Sequence, residues 1–390
     1  MPKPLAPTTV EELQAALRLC GDEQASVETG GSFSKRLVGG PVALARHRLT
    51  TSRLDRLLAY EPADLTVSVE AGMRFTELRR ILADNNQILP LDPPFASNAT
   101  VGGILAANSS GPRRRRYGTA RDMAIGMRFA TMDGKLVSSG GMVVKNVTGL
   151  DMGKLMIGSF GTLAVIASAN FKVFPMPETS VTRRFQAPSV DALLDLRKAI
   201  LESVLQPVAI DWLNPAAASA AGLGDSHTLL VEASGSSAAA SRYGSGLESL
   251  AARAGSDADA VGVEAWEAVR ECVPRWLEAN PEGASVRVST VATRLGTLLA
   301  AAGDAGCGAV LRAGNATGHL LAPDAQSARL AIGRLRSEGI HATLEAASDA
   351  AKAGVVAWDA SGSELSVMQR VKADFDPLQL LNRGRLYGVI

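Results

Sequence analysis

The chain has 390 residues, of which 46% are hydrophobic and 20% are charged, and its 40 basic and 39 acidic residues give a net charge of +1. This length is typical of two domains, or of one large domain with an insertion, and the apolar content is enough for a sizeable core. A net charge near zero excludes a chain-wide basic field for a nucleic acid. We also expect no signal peptide and no membrane-spanning segment, because no apolar run is long enough.

The cysteines indicate the redox environment. Cys20, Cys272 and Cys307 are far apart in the sequence, so they form neither a C-x-x-C metal motif nor a disulfide framework. A reducing, cytoplasmic compartment is the natural interpretation.

The predicted elements begin with an amphipathic helix. Thr8 and the glutamate three residues later have the spacing of a capping box, so this helix is predicted to begin at Thr8. SVETGGSFSKRLVGG (26–40) is typical of a strand that enters a glycine-rich loop, and FTELRRILADN (75–85) predicts a second amphipathic helix. MRFATMDGKLVSSGG (127–141) predicts a hairpin with a tight type I′ turn at Asp133-Gly134.

The second half of the chain has a different pattern. After Pro175, predicted strands such as HTLLVEAS (227–234) alternate with predicted helices such as VDALLDLRKAILES (190–203). No repeat of fixed period is present. We therefore expect a second domain that is rich in both strands and helices.

Three stretches are rich in glycine and small polar residues: Thr29–Ser34, Thr100–Gly118 and Gly140–Thr162. Backbone N–H groups in such turns bind anions, and a pyrophosphate would suit them. The alternative is that the glycines only form turns. The sequence has no G-x-G-x-x-G fingerprint and no P-loop lysine, so a phosphate-bearing cofactor would need a fold other than a Rossmann or P-loop fold.

Three segments carry a resemblance to a known family: PLDPPFASNATVGGILAANSSGPRRRRYGTARD (90–122), GGMVVKNVTGLDMGKLMIGSFGTLAVI (140–166) and FDPLQLLNRGRLYG (375–388). Together they resemble the FAD-binding domain of the vanillyl-alcohol-oxidase/p-cresol-methylhydroxylase (PCMH) superfamily. Within it, they are most similar to the E-type FAD-binding subunits of bacterial glycolate oxidases. The resemblance is dense over about residues 5–175 and returns from about residue 365.

The resemblance implies an α+β fold. A PCMH-type FAD-binding domain of two α+β subdomains is expected over residues 1–176. An α/β cap domain of antiparallel sheet and helices is expected over residues 177–360, on the substrate side. Residues 361–390 would form a tail that returns toward the flavin site.

The resemblance also implies which residues would bind FAD. The matching positions are Gly30, Gly31, Ser32, Ser34, Thr100, Val101, Gly102, Gly103, Asn108, Gly111, Tyr117, Gly118, Gly149, Asp151, Gly158, Gly161, Thr162 and Ile166. Four positions depart from the family pattern. Thr29 interrupts the usual run of three glycines, Leu150 replaces a common tyrosine, Phe160 a frequent glutamate, and Arg383 the usual proline. Neither histidine nor cysteine occurs in the glycine-rich loops, so FAD is predicted to bind non-covalently.

Four consecutive arginines, Arg113–Arg116, lie between two glycines in GPRRRRYG. One interpretation is a solvated charged face. A nucleic-acid patch would need a basic domain or interleaved aromatics, and the chain has neither. The resemblance places this run directly after an FAD-binding loop. We therefore hypothesise that one or two arginines, with Arg113 and Arg116 as candidates, contact the FAD, an active-site anion or a partner subunit.

The catalytic residues are not assigned by the sequence. Oxidation of a 2-hydroxy acid needs a base for the hydroxyl proton and a cation for the carboxylate. LRAGNATGHLL (311–321) resembles a cap stretch that carries metal-binding histidines in related catalytic subunits. Arg312 stands where such a histidine would be and His319 remains, so both are catalytic candidates. No metal site is predicted, because no clustered His and Glu set is present.

The resemblance implies an FAD-binding oxidoreductase subunit of a glycolate oxidase-like complex. Such a subunit would oxidise a 2-hydroxy acid of the glycolate or D-lactate type to the 2-oxo acid. Electrons would pass through the flavin to an iron–sulfur subunit, beside a second flavoprotein subunit. One alternative is a non-catalytic FAD-binding structural subunit, and another is a stand-alone FAD-dependent hydroxy acid or alcohol dehydrogenase. The expected location is cytoplasmic, with peripheral attachment to the inner membrane through partners left open.

Overall fold

The computed structural model describes residues 2–142, 150–187, 189–353, 363–386, 388 and 390. Its contacts divide the chain into two compact units. The first comprises Met1–Ser110, Gly118–Met176 and Ala360–Ile390, and the second comprises Gly111–Tyr117 and Pro177–Asp359. The arginine run therefore belongs to the second unit. Both units combine helices with sheets, which confirms the α+β fold class.

The described part of the first unit contains three sheets. The largest is antiparallel, with strand order β4-β5-β9-β7-β8, the second is parallel with order β1-β3-β2, and β6 pairs with β10. The strands are β1 Lys3–Leu5, β2 Val27–Gly30, β3 His47–Thr50, β4 Leu57–Glu61, β5 Thr66–Glu70, β6 Gln87–Ile88, β7 Ala124–Ala130, β8 Leu136–Gly140, β9 Val165–Lys172 and β10 Phe174–Pro175.

The helices of the first unit are short except at its two ends. They are Val10–Asp22, Phe75–Ala83, Val101–Ala106, Ala120–Met123, Met152–Met156 and Ser363–Phe375, with a 3₁₀ turn at Pro62–Asp64. The capping prediction for the first helix was wrong by one residue. Thr9 is the N-cap, and its side chain accepts a hydrogen bond from the N–H of Glu12 at 3.2 Å. The Thr8 hydroxyl instead donates to the Glu12 carboxylate at 2.9 Å.

The predicted hairpin is present, but its turn differs from the prediction. Strands β7 and β8 pair in antiparallel register, with Ala130 opposite Leu136, so the loop between them has five residues. Gly134 has a positive φ of 73°, whereas a type I′ turn needs positive φ at both central residues. The Asp133 carboxylate stabilises the longer loop by accepting from the N–H of Lys135 at 3.3 Å.

The second unit is built on one large antiparallel sheet with strand order β14-β11-β13-β12-β16-β17-β15-β18. The strands are β11 Thr179–Ala187, β12 Ala209–Leu213, β13 His227–Gly235, β14 Asp257–Val261, β15 Ala284–Ser289, β16 Gly308–Arg312, β17 Thr317–Ala322 and β18 His341–Ala347. The helices are Arg114–Tyr117, Val190–Glu202, Pro215–Ala220, Ser237–Arg253, Val263–Arg270, Cys272–Ala279, Leu295–Asp304, Ala325–Ser337 and Asp349–Lys352, with a 3₁₀ turn at Ala292–Arg294.

The two faces of this sheet carry separate apolar clusters. Trp212 belongs to the larger cluster on one face, whereas its neighbour Leu213 belongs to the smaller cluster on the other. Side chains alternate between the faces along each strand. Asp211, Arg312 and His319 are therefore on the same face as the smaller cluster. Within the described residues, we find no helix with the length and apolar character needed to cross a membrane.

Candidate functional site

A cleft in the first unit is lined by the glycine-rich loop after β2, by the start of the helix Val101–Ala106 and by residues from the C-terminal part of the chain. Six of the predicted cofactor residues line it: Gly30, Gly31, Ser32, Ser34, Thr100 and Gly103. Lys35, Phe160, Asn382 and Arg385 also line the cleft. Among the described lining residues the charged ones are basic, so the cleft suits an anionic group such as a pyrophosphate.

The first two loops touch at a position where only glycine fits. A Cβ atom on Gly31 would overlap the side chain of Thr100, and one on Gly103 would lie 3.1 Å from the Thr100 hydroxyl. Thr100 caps the helix Val101–Ala106 by accepting from the N–H of Gly103 at 3.3 Å. The Thr50 hydroxyl donates to the carbonyl of Gly31 at 2.6 Å, which fixes the first loop from its other side. This packing explains why the chain has small residues at these positions.

Asn382 connects the C-terminal segment to both sides of the cleft. Its Oδ1 accepts from the N–H of Thr29 at 2.7 Å. Its Nδ2 donates to the Thr29 hydroxyl at 3.0 Å and to the Phe160 carbonyl at 2.8 Å. Asn382 is buried, and its backbone has a positive φ of 42°. A Cβ on Gly161 would lie 2.8 Å from the Asn382 amide nitrogen, so this predicted cofactor residue packs against the same side chain.

A buried ion pair holds the C-terminal segment in place. Nζ of Lys372 lies 2.6 Å from the Asp376 carboxylate and donates to the Thr162 carbonyl at 2.7 Å. The same carboxylate accepts from the N–H groups of Leu380 at 3.0 Å and Leu381 at 2.8 Å. Burial lowers the pKa of Lys372, and the pairing with Asp376 opposes that shift. Asp376 lies within the closing motif FDPLQLLNRGRLYG, but neither Asp376 nor Lys372 was predicted as a site residue.

The other predicted cofactor residues of the first unit lie in the neighbouring loops. Asp151, Gly158 and Thr162 line a second pocket, and Asp151 caps the helix Met152–Met156. Asn108 lies next to Gly158, and its buried Oδ1 has no hydrogen-bond partner among the described residues. Such an atom is available to a cofactor group that donates a hydrogen bond.

The remaining predicted positions are spread over different elements. Val101 and Gly102 lie in the first turn of their helix, and Ile166 is buried in β9. Gly118 has a positive φ of 86° and packs against Asp122. The others are Gly111 and Tyr117, which belong to the second unit, and Gly149, which is outside the described residues.

The catalytic candidates lie in the second unit. Arg113 makes a two-pronged contact with the buried carboxylate of Glu232, at 3.3 Å through Nε and 3.0 Å through Nη2. Arg116 is exposed on the short helix Arg114–Tyr117. Arg312 donates to the fully buried Asp211, which lies opposite it on β12.

His319 forms a dyad with a carboxylate. Its Nδ1 lies 2.7 Å from Glu345, and Arg287 approaches the same carboxylate at 3.9 Å. Burial alone would raise the pKa of Glu345, yet the pKa is lowered because His319 and Arg287 stabilise the charged form. Neither Glu345 nor Asp211 was predicted, since each is far in sequence from its partner.

Comparisons with known proteins relate part of the chain to a known family and relate its fold to solved structures. Residues 4–140 match the FAD binding domain family. The solved structure of 4-ethylphenol oxidase from Gulosibacter chungangensis aligns with a TM-score of 0.76 at 13% identity, over 99% of this chain and 89% of that one. The solved structure of p-cresol methylhydroxylase also aligns, with a TM-score of 0.70 at 13% identity over 99% of this chain and 88% of that one, which confirms the predicted PCMH-type fold. Over residues 4–140 the chain is therefore similar to FAD-binding domains, and the cofactor that this similarity supports is FAD.

Three relatives of known name are similar to part of the chain. Glycolate oxidase subunit GlcE of Escherichia coli (strain K12) is 35% identical over 47% of this chain and 51% of that protein. Glycolate oxidase subunit GlcD of Bacillus subtilis (strain 168) is 27% identical over 54% and 45%. D-2-hydroxyglutarate dehydrogenase of Xanthomonas citri is 31% identical over 50% and 42%. The chain thus spans about half the length of the curated relatives it matches.

Proposed function

We propose that this chain is an FAD-dependent oxidoreductase subunit of a glycolate oxidase-like complex. Its substrate would be a small 2-hydroxy acid of the glycolate or D-lactate type, which is oxidised to the 2-oxo acid. The names of the similar proteins support this substrate class, and two of them are named as subunits. An iron–sulfur subunit would accept the electrons, and a second flavoprotein subunit would complete the assembly.

The loop residues of the first unit would hold the cofactor. Backbone N–H groups of Gly30–Ser34, with Lys35 and Arg385 nearby, suit its pyrophosphate. The Oδ1 of Asn108, which has no hydrogen-bond partner among the described residues, suits a donor on the same cofactor. When bound, FAD supplies the acceptor for the two electrons that the hydroxy acid loses.

One observation carries the proposal for the substrate: His319 and Arg312 lie on the same face of one sheet. His319 on β17 is opposite Val310 on β16, and Arg312 follows two residues later on the same strand. The backbones of such diagonal neighbours are about 7–8 Å apart, a separation from which two long side chains can reach one small ligand. A base and a cation would therefore be available to a small hydroxy acid on one face of the sheet.

The His319–Glu345 dyad is arranged for proton transfer. With its proton on Nδ1, which lies 2.7 Å from the Glu345 carboxylate, His319 would keep the Nε2 lone pair free to accept the substrate's hydroxyl proton. The carboxylate then stabilises the imidazolium that forms. Arg312 would orient the substrate carboxylate with the N–H groups that Asp211 does not use.

A second candidate function is a structural subunit that binds FAD without turnover. Arg113 and Arg312 each pair with a buried carboxylate, Glu232 and Asp211. Arginines neutralised in this way can serve packing alone. These ion pairs favour a purely structural role for Arg113 and Arg312. The pair of His319 and Glu345 is then the feature whose substitution distinguishes a catalytic subunit from a structural one.

The deciding experiment is a visible absorption spectrum of the purified chain, repeated after glycolate or D-lactate is added without oxygen. Flavin bands that bleach would support catalysis by this chain. His319→Gln should then slow the bleaching by about 10²–10⁴-fold, because the base is lost. The matched control is His341→Gln, which replaces an exposed histidine on β18. The flavin of this variant should bleach at the wild-type rate.

Two other outcomes contradict parts of the proposal. Flavin bands that persist with both acids would reject turnover by the isolated chain and favour the structural subunit. A chain that shows no flavin bands after incubation with FAD would contradict both candidate functions.

A further inference from the structure

A buried arginine in the second unit has an unpaired guanidinium nitrogen. Arg197 lies on the helix Val190–Glu202 and is only 8% exposed. Its Nε donates to the carbonyl oxygen of Ala313 at 2.5 Å. Its Nη2 is also buried, but it has no hydrogen-bond partner among the described residues. Because buried polar groups are almost always hydrogen-bonded, this nitrogen is expected to meet a ligand or ordered solvent.

A second arginine approaches the same turn. A Cβ on Gly314 would lie 2.9 Å from Cδ and 3.0 Å from Nη1 of Arg115, so this side chain lies against the Gly314 backbone. Gly314 directly follows Ala313, whose carbonyl binds Arg197. Arg115 and Arg197 therefore converge on one turn after β16. The lack of a side chain at Gly314 is what permits the close approach.

No acidic side chain neutralises these two arginines within the described part of the chain. The ion pairs found there include neither Arg115 nor Arg197, whereas Arg113 of the same run pairs with Glu232. Burial lowers the pKa of Arg197, and the positive charge of Arg115 lowers it further. Two like charges held together, one of them buried, are a costly arrangement that a bound anion would relieve.

We propose that Arg115 and Arg197 bind a small oxyanion, a carboxylate or a phosphate, at the turn Ala313–Gly314. The planar guanidinium groups match the oxygen geometry of both anions. This inference goes beyond the proposed oxidoreductase function, because it uses none of the cleft residues of the first unit and neither Arg312 nor His319. It assigns one member of the arginine run to a ligand, while Arg113 serves an internal ion pair.

The test is calorimetric titration of the full FAD-loaded chain with inorganic phosphate and, separately, with acetate. Chloride keeps the ionic strength constant, because screening alone changes surface electrostatics. Wild type should bind one equivalent of at least one anion. Arg115→Ala and Arg197→Met should each weaken that binding by about tenfold or more, the loss expected for one charge-assisted hydrogen-bonding partner.

The matched control is Lys198→Ala, which removes an exposed positive charge from the same helix and should leave the affinity unchanged. Tighter binding of phosphate than of acetate would assign a phosphate-bearing ligand, and the reverse order would assign a carboxylate. If Arg197→Met does not fold, the exposed Arg115→Ala decides alone. The proposal is overturned if wild type shows no saturable binding, if Arg115→Ala binds normally, or if Lys198→Ala weakens binding equally.

Discussion

At the scale of single residues, Asn382 connects two sides of the cleft. It bridges Thr29 and Phe160, which lie on separate loops, and both of its amide atoms are used. The left-handed backbone at this position is one that asparagine and aspartate adopt more readily than most other residues. Both the side chain and the backbone conformation therefore favour asparagine.

Asn382→Asp keeps the shape and the backbone tolerance but removes the two N–H donors. The Phe160 carbonyl and the Thr29 hydroxyl would lose their donor, and a buried charge would be added. We expect the free energy of unfolding to fall by about 3 kcal/mol, measured by urea denaturation. The FAD content of the purified protein should fall with it.

The control for this substitution is Asn85→Asp, at an exposed position of the first unit, which should change stability by less than about 0.5 kcal/mol. Equal stability and FAD content in Asn382→Asp and wild type would show that the bridge is not needed.

At the scale of the elements, the loop after β2 contacts the start of the helix Val101–Ala106, and this contact requires glycine at position 31. Gly31→Ala would place a methyl group on the Thr100 side chain, and the loop or the helix cap would have to move. Such overpacking costs about 1–3 kcal/mol. We expect the dissociation constant for FAD, measured by flavin fluorescence titration, to rise about tenfold or more.

Gly333→Ala is the control for the added methyl group. A Cβ on Gly333 would meet no atom within 4 Å, and the residue lies inside the helix Ala325–Ser337. Gly333→Ala should leave FAD binding unchanged and raise helix stability by about 0.5–1 kcal/mol. An unchanged dissociation constant in Gly31→Ala would contradict the tight contact with Thr100.

Helices and strands could be predicted from the sequence where a short segment has a clear hydrophobic periodicity. The periodicity of residues 75–85 predicted the helix Phe75–Ala83, and the hairpin of β7 and β8 followed from alternation around Asp133-Gly134. The exact cap and turn were not predictable, because neighbouring threonines compete for one cap and because one glycine fits several turn types.

Contacts between residues that are distant in the sequence could not be predicted from local sequence patterns. Thr29 and Asn382 are 353 positions apart, and Arg113 and Glu232 are 119 apart. No periodicity connects such residues, and only the resemblance of the closing motif pointed to the return of the tail. The partners Glu345 and Asp211 became visible only through the strands and the sheet register.

At the scale of the whole molecule, the first unit is assembled from three separate stretches of the chain. Its last stretch is tied in by Asn382 and by the buried pair of Lys372 and Asp376. Secondary structure could be predicted stretch by stretch, but this assembly depends on contacts between the first and last parts of the chain. The cleft therefore exists only in the folded chain, although its loops are recognisable in the sequence.

The way in which FAD is attached is also a property of the whole chain. Covalent attachment of a flavin commonly uses a histidine or a cysteine beside it. In the first unit these are His47 and Cys20, both buried outside the described lining of the cleft. Burial, with a smaller effect from Glu23, raises the pKa of the Cys20 thiol to about 11, so its nucleophilic thiolate is scarce near neutral pH.

We therefore expect acid denaturation to release all of the flavin, measured as absorbance in the supernatant after the precipitated protein is removed. The reason is that only non-covalent contacts from the loops hold the cofactor, and these contacts are lost when the chain unfolds. Cys20→Ser with His47→Gln tests the two residues of the first unit directly and should release the same fraction as wild type. Flavin colour that stays with the wild-type pellet would contradict non-covalent binding. If the pellet of the double variant were then colourless, Cys20 or His47 would be the attachment site.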